Sequence, residues 1–592
     1  MTQQGTTASV FEYIVLILVG ALSGLLLWLI TDNWSNPEFA PLLLLGGFGF
    51  VLVYGLLFLL LMGPVSAHRA FWGALVLAIP MTGLILSAGL RPQVATDILD
   101  DPAVITIAAV LFAFAAPFLN VWLQDRAHWL NYAALFEAAW ALYINLVLAI
   151  VFVAVIWLSL FLSNALLTLV DVTFLETLLR RSWMSFAISG GSLGLGLAVL
   201  HEFRDSVSPF VILRLLRLLV PVMLGVVVIF LLAAPFQELA PLFGEFSAAG
   251  TLIGTAALAV TLVSSALDRS EEYAVKTRSL RLATRLLAFA LPFLCALAVW
   301  AVGLRVAQYG WTPDRVYAAS AGAFVLAYGL AYAGVSIKRS GWTGRIRQAN
   351  VVMAICVIAM GAAAMTPLLN PYRISVQSQV ERFLEGQATL EELPLWEMSH
   401  FWGRAGDAGL AQLEALTGRA DHTDIVLRIS EAREIDSQYQ FERAIEIREL
   451  PARAGELAGL LTVQGRADSL PPASFAQLDP YQLTRWLEAC QRKLTDGRPA
   501  CVMVPGDFAP DRSGQDQAMI LYLDEAGHAR GNYVLLSDGV IHSVQPVVDP
   551  VHGGWPELPA DVIANALDGA FNIRPSGDKA LWIGDSVLMR GN

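Results

Sequence analysis

The sequence predicts a polytopic α-helical membrane protein of about 11 transmembrane helices, followed by an extracytoplasmic α+β soluble domain. Three observations carry this. Eleven long apolar stretches fill the first two-thirds of the chain and stop near Asn370. A mean hydropathy of +0.59, with 56% hydrophobic and 15% charged residues, is too apolar for a soluble protein. The charge is also divided unevenly. Residues 1–370 carry 19 Lys and Arg against 18 Asp and Glu, whereas residues 371–592 carry 19 against 32, so the net charge of −12 comes entirely from the tail.

A spanning helix needs about 20 mostly apolar residues, because the hydrocarbon core is roughly 30 Å thick. The stretches that qualify are residues 11–30, 40–62, 70–89, 103–122, 132–162, 183–200, 212–234, 247–266, 286–304, 315–336 and 348–368. Lipid offers no partner for free backbone N–H and C=O groups, so each is helical. The first lacks a basic leader and is followed by Thr31-Asp32-Asn33 rather than a small-residue cleavage site, so it reads as a retained span. The fifth is long enough to tilt or to run past the membrane face. The sixth is short and glycine-rich.

Alternate loops differ in basic residues. One set, which includes Arg69, Arg126, Arg217, Arg269 and Arg347, holds 14, whereas the other holds Arg91, Arg180, Arg181, Arg305 and Arg315. The positive-inside bias puts the N-terminus in the cytoplasm, and an odd number of spans then puts the C-terminal domain in the periplasm of a bacterial inner membrane. Only four of the 38 basic residues are lysine, as expected from a GC-rich bacterial genome.

Between the fifth and sixth spans, Ser163–Trp183 alternates apolar and charged positions and reads as an amphipathic helix in the membrane interface. After residues 1–370, the bundle, come residues 371–592, the soluble domain. Its helical neck covers about 371–450 and its α+β part about 451–592. Val376–Leu384, Leu390–Met398 and Ala408–Leu416 read as neck helices, and Asp421–Glu449 as a polar stretch. Tyr481–Ala489 reads as a helix after Asp479-Pro480. Cys501–Val504, Ala518–Leu523, Tyr533–Leu536, Val540–Val544 and Ala580–Ile583 read as strands, and Asp538-Gly539 as the hairpin turn. Pro559–Phe571 reads as a helix.

Cys295 and Cys356 fall within spans and suit small apolar packing. Cys490 and Cys501 form the disulfide candidate: their bridge closes a short helix-to-strand loop, worth roughly 3 kcal/mol in the chain-entropy model, and it persists only in an oxidising compartment. Two unpaired thiols are the plain alternative. Glu137 is the one acid clearly inside a span, and with Asn145 on the same segment it is the intramembrane polar candidate. It suits either a cation- or proton-binding role or a pairing with Arg126.

Other motifs have structural explanations. Gly584-Asp585-Ser586 looks like an esterase nucleophile block, but no histidine follows it. Gly190–Gly196 lacks the lysine and the strand of a phosphate loop and suits close helix packing. The eight histidines show no metal-ligand spacing. No catalytic residue, cofactor or metal site is indicated. The acidic tail excludes nucleic acid as a partner.

Tyr309-Gly310-Trp311-Thr312-Pro313-Asp314-Arg315-Val316-Tyr317 opens the tenth span with Thr312 at the N-cap and Pro313 at the first helical position. Asn370-Pro371-Tyr372-Arg373-Ile374-Ser375 leaves the last span with similar punctuation, and Phe401-Trp402-Gly403-Arg404-Ala405-Gly406-Asp407 follows. These three blocks resemble the bacterial family of polytopic membrane proteins called domain of unknown function 4153, over roughly residues 10–420. The resemblance implies an inner-membrane location and no particular chemistry.

Three classes of function are compatible with this reading. A non-catalytic envelope scaffold or interaction protein needs only the bundle and an exposed domain that meets an envelope protein partner. A transporter or channel for a small solute or ion needs a polar path through the lipid bilayer. A membrane-bound transferase acting on a lipid-linked substrate needs carboxylates or histidines at the outer face, where Glu238, Glu245, Asp314 and Arg315 are the available material. The lack of a coherent catalytic set favours the first class.

Overall fold

The computed structural model describes residues 10–202, 210–234, 248–338, 340–465, 470–509, 512, 515–548, 558–576, 578–583 and 586–590. Eleven of its helices are long and apolar enough to cross a membrane, and the protein is a multi-pass membrane protein. Its Cα packing divides the chain into two compact units, Met1–Ser430 and Glu431–Asn592.

In the first unit, α1 (Val10–Asp32), α2 (Pro41–Leu61), α3 (Ala67–Ala88), α4 (Pro102–Gln124) and α5 (Tyr132–Thr168) run in turn across the bundle. After α6 (Phe174–Leu179) comes α7 (Ser182–Glu202), the short sixth span. The interfacial helix expected over Ser163–Trp183 is not continuous. Instead α5 extends to Thr168, and Asp171 takes a left-handed φ of 57° that ends the helix before the six-residue α6. The seventh span is also divided, into α8 (Phe210–Leu218) and α9 (Val220–Ala233), with Pro221 in the first turn of α9. Proline lacks the N–H that would continue the helical ladder.

The remaining spans are α10 (Ala248–Leu267), α11 (Arg278–Tyr309), α12 (Pro313–Ser336) and α13 (Trp342–Met365). At 32 residues, α11 is about 48 Å long by helical rise, well beyond the hydrocarbon core. Its first turns carry Arg278, Arg281 and Arg285, whose long stems allow the helix to continue into the headgroup region. One apolar core gathers Leu57, Ala74, Leu111 and Leu197 from the first half of the bundle, and a second gathers Val227, Ala256, Leu287 and Ile346 from the later spans.

The glycine-rich run in α7 packs on α1. A Cβ on Gly190 would lie 2.1 Å from the Gly20 carbonyl oxygen, and one on Gly194 would lie 2.2 Å from that of Leu16. Only glycine permits this backbone contact.

The helices after residue 370 pack in the same unit as the spans. They are α14 (Pro371–Leu384), α15 (Leu395–His400), α16 (Gly403–Glu414) and α17 (His422–Glu434), of which the last crosses the unit boundary. Pro394 delays the start of α15 relative to the expected Leu390. The buried Gln379 of α14 donates to the Tyr309 and Trp311 carbonyls at 3.0 and 2.8 Å, docking it on the turn between α11 and α12.

The second unit is an α+β fold. Helix α18 (Gln438–Leu460) and, before it, α17 together occupy most of the stretch read as merely polar, and α19 (Pro480–Gln491) and α20 (Asp561–Leu567) complete the helices. Helix α20 is shorter than the expected Pro559–Phe571. The strands are β1 (Thr462–Val463), β2 (Cys501–Pro505), β3 (Asp516–Leu523), β4 (Ala529–Ser537), β5 (Val540–Val548), β6 (Asn572–Ser576), β7 (Asp578–Ile583) and β8 (Ser586–Arg590). They form one sheet in the order β1-β2-β3-β4-β5-β8-β7-β6, antiparallel except for β1 with β2. The β4–β5 turn has Asp538 at φ 51° and Gly539 at φ 79°, as a tight hairpin requires.

Alternation along β3 sends Ile520 and Tyr522 to a core with Trp486 of α19, and Met519 and Leu521 to a core with Ile563 of α20. Both sheet faces are therefore covered. Cys490 at the end of α19 and Cys501 at the start of β2 form a disulfide, with Cα atoms 5.0 Å apart.

Candidate functional site

Charged side chains in the described spans all lie within about two turns of a span end, where helical rise keeps them near the headgroups. They gather at two faces. The near face is where α1, α5 and α13 begin, and the far face is where α3, α11 and α13 finish.

The near face is a capping network. Arg347 donates to the Leu267 and Asp268 carbonyls at 2.6 and 3.1 Å, and so satisfies the open end of α10. Arg217 pairs with Asp268 and donates to the Ser265 carbonyl at 3.0 Å. Asn350 accepts from Tyr332 and Tyr328 at 2.6 and 3.0 Å and donates to Ser264 at 3.2 Å, a satisfied buried cluster. Glu137 belongs to this face. Its partner is Arg269, just past α10, whereas Arg126 stacks over Trp122 with 4.5 Å to the ring centre. Asn145 is half-buried, about 12 Å further along α5 by helical rise, and apart from that pair.

The far face has a cleft of about 560 Å³. Three of its helices begin with a polar cap followed by proline: Asp101-Pro102 for α4, Thr312-Pro313 for α12 and Asn370-Pro371 for α14. Asp101 accepts from the Ala103 N–H at 2.9 Å, and Asn370 from the Tyr372 N–H at 3.1 Å. The other carboxylate oxygen of Asp101 accepts from the Tyr372 hydroxyl and, at 3.4 Å, from that of Tyr317.

Arg91 stands beside this group, 7% exposed. Its Nη2 donates to the carbonyls of Ala364 and, at 3.1 Å, Thr366 at the end of α13, whereas its Nη1 is buried without a hydrogen-bond partner among the described residues. Burial pushes the guanidinium below its ordinary pKa, opposed by Tyr317, Tyr372 and Asp101. Burial, then the hydrogen bond to Asp101, pushes the Tyr372 hydroxyl far up. Partial burial and the neighbouring Asp100 push Asp97 up.

The third wall is the stretch around Gly403. Its φ of 53° lets the Arg404 N–H reach the Arg91 carbonyl at 3.0 Å, and a Cβ there would lie 2.5 Å from that oxygen. Gln93 donates to Asp407 at 2.7 Å. Glu397 and His400 of α15 complete the lining, with His400 stacked on Trp396 at 4.5 Å.

The three sequence blocks singled out above thus meet at one place. Thr312, Pro313, Asp314 and Tyr317, then Tyr372, and Phe401 to Gly403 all contribute to the cleft around Arg91 and Asp101. The family described as a domain of unknown function, DUF4153, matches residues 14–399, which include the first two blocks whole and stop just before the third. The chain belongs to the DUF4153 family. No curated protein and no solved structure matches this DUF4153 chain.

Sequence reasoning had reached Asp314 at this face but not Asp97, Asp100, Asp101, Tyr317, Tyr372, Glu397 or His400 as a group. The repeated cap-proline starts were the available signal. Glu238, Glu245, Gly584, Asp585 and His552 lie outside the described residues. Among the described residues no three His, Cys, Asp or Glu side chains are arranged to hold a metal ion.

Proposed function

We propose that this protein resides in the bacterial inner membrane with its N-terminus in the cytoplasm and its C-terminal unit in the periplasm. There it acts as a non-catalytic envelope interaction protein, which recognises its partners at the far face and through the C-terminal unit. One observation carries the choice against a conduit: the charged side chains of the described spans are concentrated at the two ends of the bundle, and the cores between them are predominantly Leu, Val and Ala. A transport path needs binding groups near the midplane. Against the transferase reading, Asp101 is occupied as a helix cap and tyrosine acceptor, and the Ser399 hydroxyl beside His400 (2.8 Å) donates to the Trp396 carbonyl within its own helical turn.

The basic-residue bias supports the orientation, since the described members of the 14-residue set lie at the near face. A bridged Cys490–Cys501 pair suits an oxidising compartment. A reporter enzyme that works only in the periplasm, fused after Asn592, is expected to be active, and a fluorophore that matures only in the cytoplasm to stay dark. A fluorescent fusion would overturn the orientation. Purified protein in liposomes is expected to pass protons and small ions no faster than empty liposomes do. Flux abolished by Glu137→Gln would replace this reading with a conduit.

A further inference from the structure

We propose that the far-face cleft binds a phosphoethanolamine group, with its phosphate toward Arg91 and its ammonium among the carboxylates. This rests on the reading of the cleft as a recognition site.

Arg91 is the anchor. It lines the cleft and is buried over nine-tenths, and the Nη1 left without a partner is a desolvated, charged donor. Leaving such a donor unsatisfied is costly, so an oxygen anion that reaches it recovers that cost. Phosphate is the natural acceptor for a guanidinium. The α4 and α12 N-termini open into the same cleft and add positive potential, largely answered by their own Asp101 and Asp314.

That leaves Asp97 and Asp100 on the lining, an acidic rim beside one arginine. Asp97 and Asp100 are exposed and close enough to repel. A purely anionic ligand would meet these charges, and a purely cationic one would leave the Arg91 Nη1 without an acceptor. A zwitterion answers both. A primary ammonium offers three N–H donors to the carboxylates, which a trimethylated choline nitrogen lacks.

Size and place narrow the choice further. A free amino acid carries the same two charges but fills little of 560 Å³, a volume typical of larger ligands. The cleft lies at the ends of α3, α11 and α13, hence at headgroup depth, and its wall includes Ile98 and the exposed Phe401 for the glycerol and upper chain. An aminophospholipid fits these requirements, and free phosphoethanolamine shares the recognising chemistry.

The test uses the full chain in detergent, with short-chain phospholipids that differ only in headgroup. Phosphatidylethanolamine is expected to bind on the order of tenfold more tightly than phosphatidylcholine or phosphatidylglycerol, the effect of one or two charged hydrogen bonds. Asp97→Asn with Asp100→Asn, two exposed positions, is expected to erase the preference and leave the melting temperature unchanged. Arg91 is unsuited to this test because it also caps α13. Competition by free phosphoethanolamine at matching concentration would name the soluble compound as sufficient, and its failure beside retained lipid would name the lipid; both support the assignment. Equal binding of the three headgroups, or an undiminished preference in the double variant, overturns it. A cytoplasmic C-terminal reporter would instead overturn the orientation alone and leave these detergent measurements intact.

Discussion

Glu137 was legible as a lone acid in an apolar run, but its partner was not, because Arg269 is 132 residues away and the nearer Arg126 is committed to Trp122. The Glu137 side chain is 47% exposed, so solvent or headgroups screen the pair. Glu137→Gln is therefore expected to lower stability by no more than about 1 kcal/mol, measured by thermal unfolding in detergent. Arg347 differs, because it is buried and closes the end of α10. Arg347→Gln is expected to cost about 3 kcal/mol, from stranding the buried Leu267 and Asp268 carbonyls. A much larger loss for Glu137→Gln than for Arg347→Gln would reverse this ranking. Tyr372 adds a pH signature. Its folded pKa is raised above the ordinary value of about 10, so its stabilising contribution is present below that pH and is lost as pH rises beyond it. The melting temperature should fall more steeply between about pH 9 and 11 in the wild type than in Tyr372→Phe. Parallel slopes would mean that Tyr372 is not the group that titrates.

Spans were readable because apolar length is imposed by the bilayer itself, so even the short sixth segment is a full helix, Ser182–Glu202. Strands β2 to β5 were equally readable, since alternation and the Asp538-Gly539 turn are local signals. Helix ends were less so. Pro221 divides the seventh span and Asp171 interrupts the interfacial segment, details set by single residues against a strongly apolar background. Strands β6 and β8 escaped notice because they are short and owe their place to pairing with β7. The contact between α1 and α7 offers the sharpest test at this scale. Gly190→Leu would drive a side chain into the Gly20 carbonyl, where backbone rather than a movable side chain stands in the way. Accumulation of folded protein is expected to collapse. Gly254→Leu and Gly334→Leu are the controls, since a Cβ at either meets nothing within 4 Å. If all three variants accumulate alike, the helix pair is not held by its glycines.

The far-face cleft was hidden from the sequence for a topological reason. Arg91, Asp101, Tyr317, Tyr372 and Gly403 come from five separate stretches, and only the tertiary fold brings them together. Charge asymmetry between bundle and tail, by contrast, needed only counting. That asymmetry and the cysteines bear on the same question, namely which compartment the second unit occupies. The bridge between Cys490 and Cys501 ties the end of α19 to the first residue of β2, beside the core around Trp486. Closing so short a loop contributes about 3 kcal/mol in the chain-entropy model, provided that the compartment lets it form. In cells whose thiols are trapped at lysis, denatured and unreduced protein should be labelled at Cys295 and Cys356 only. Reduction should then add Cys490 and Cys501. Cys295 is buried in the helical core and Cys356 is exposed on α13, so denaturation is needed before their reactivity can be compared. Labelling of all four without reductant would mean that the bridge does not exist, and its support for the orientation drawn from the basic residues would be lost.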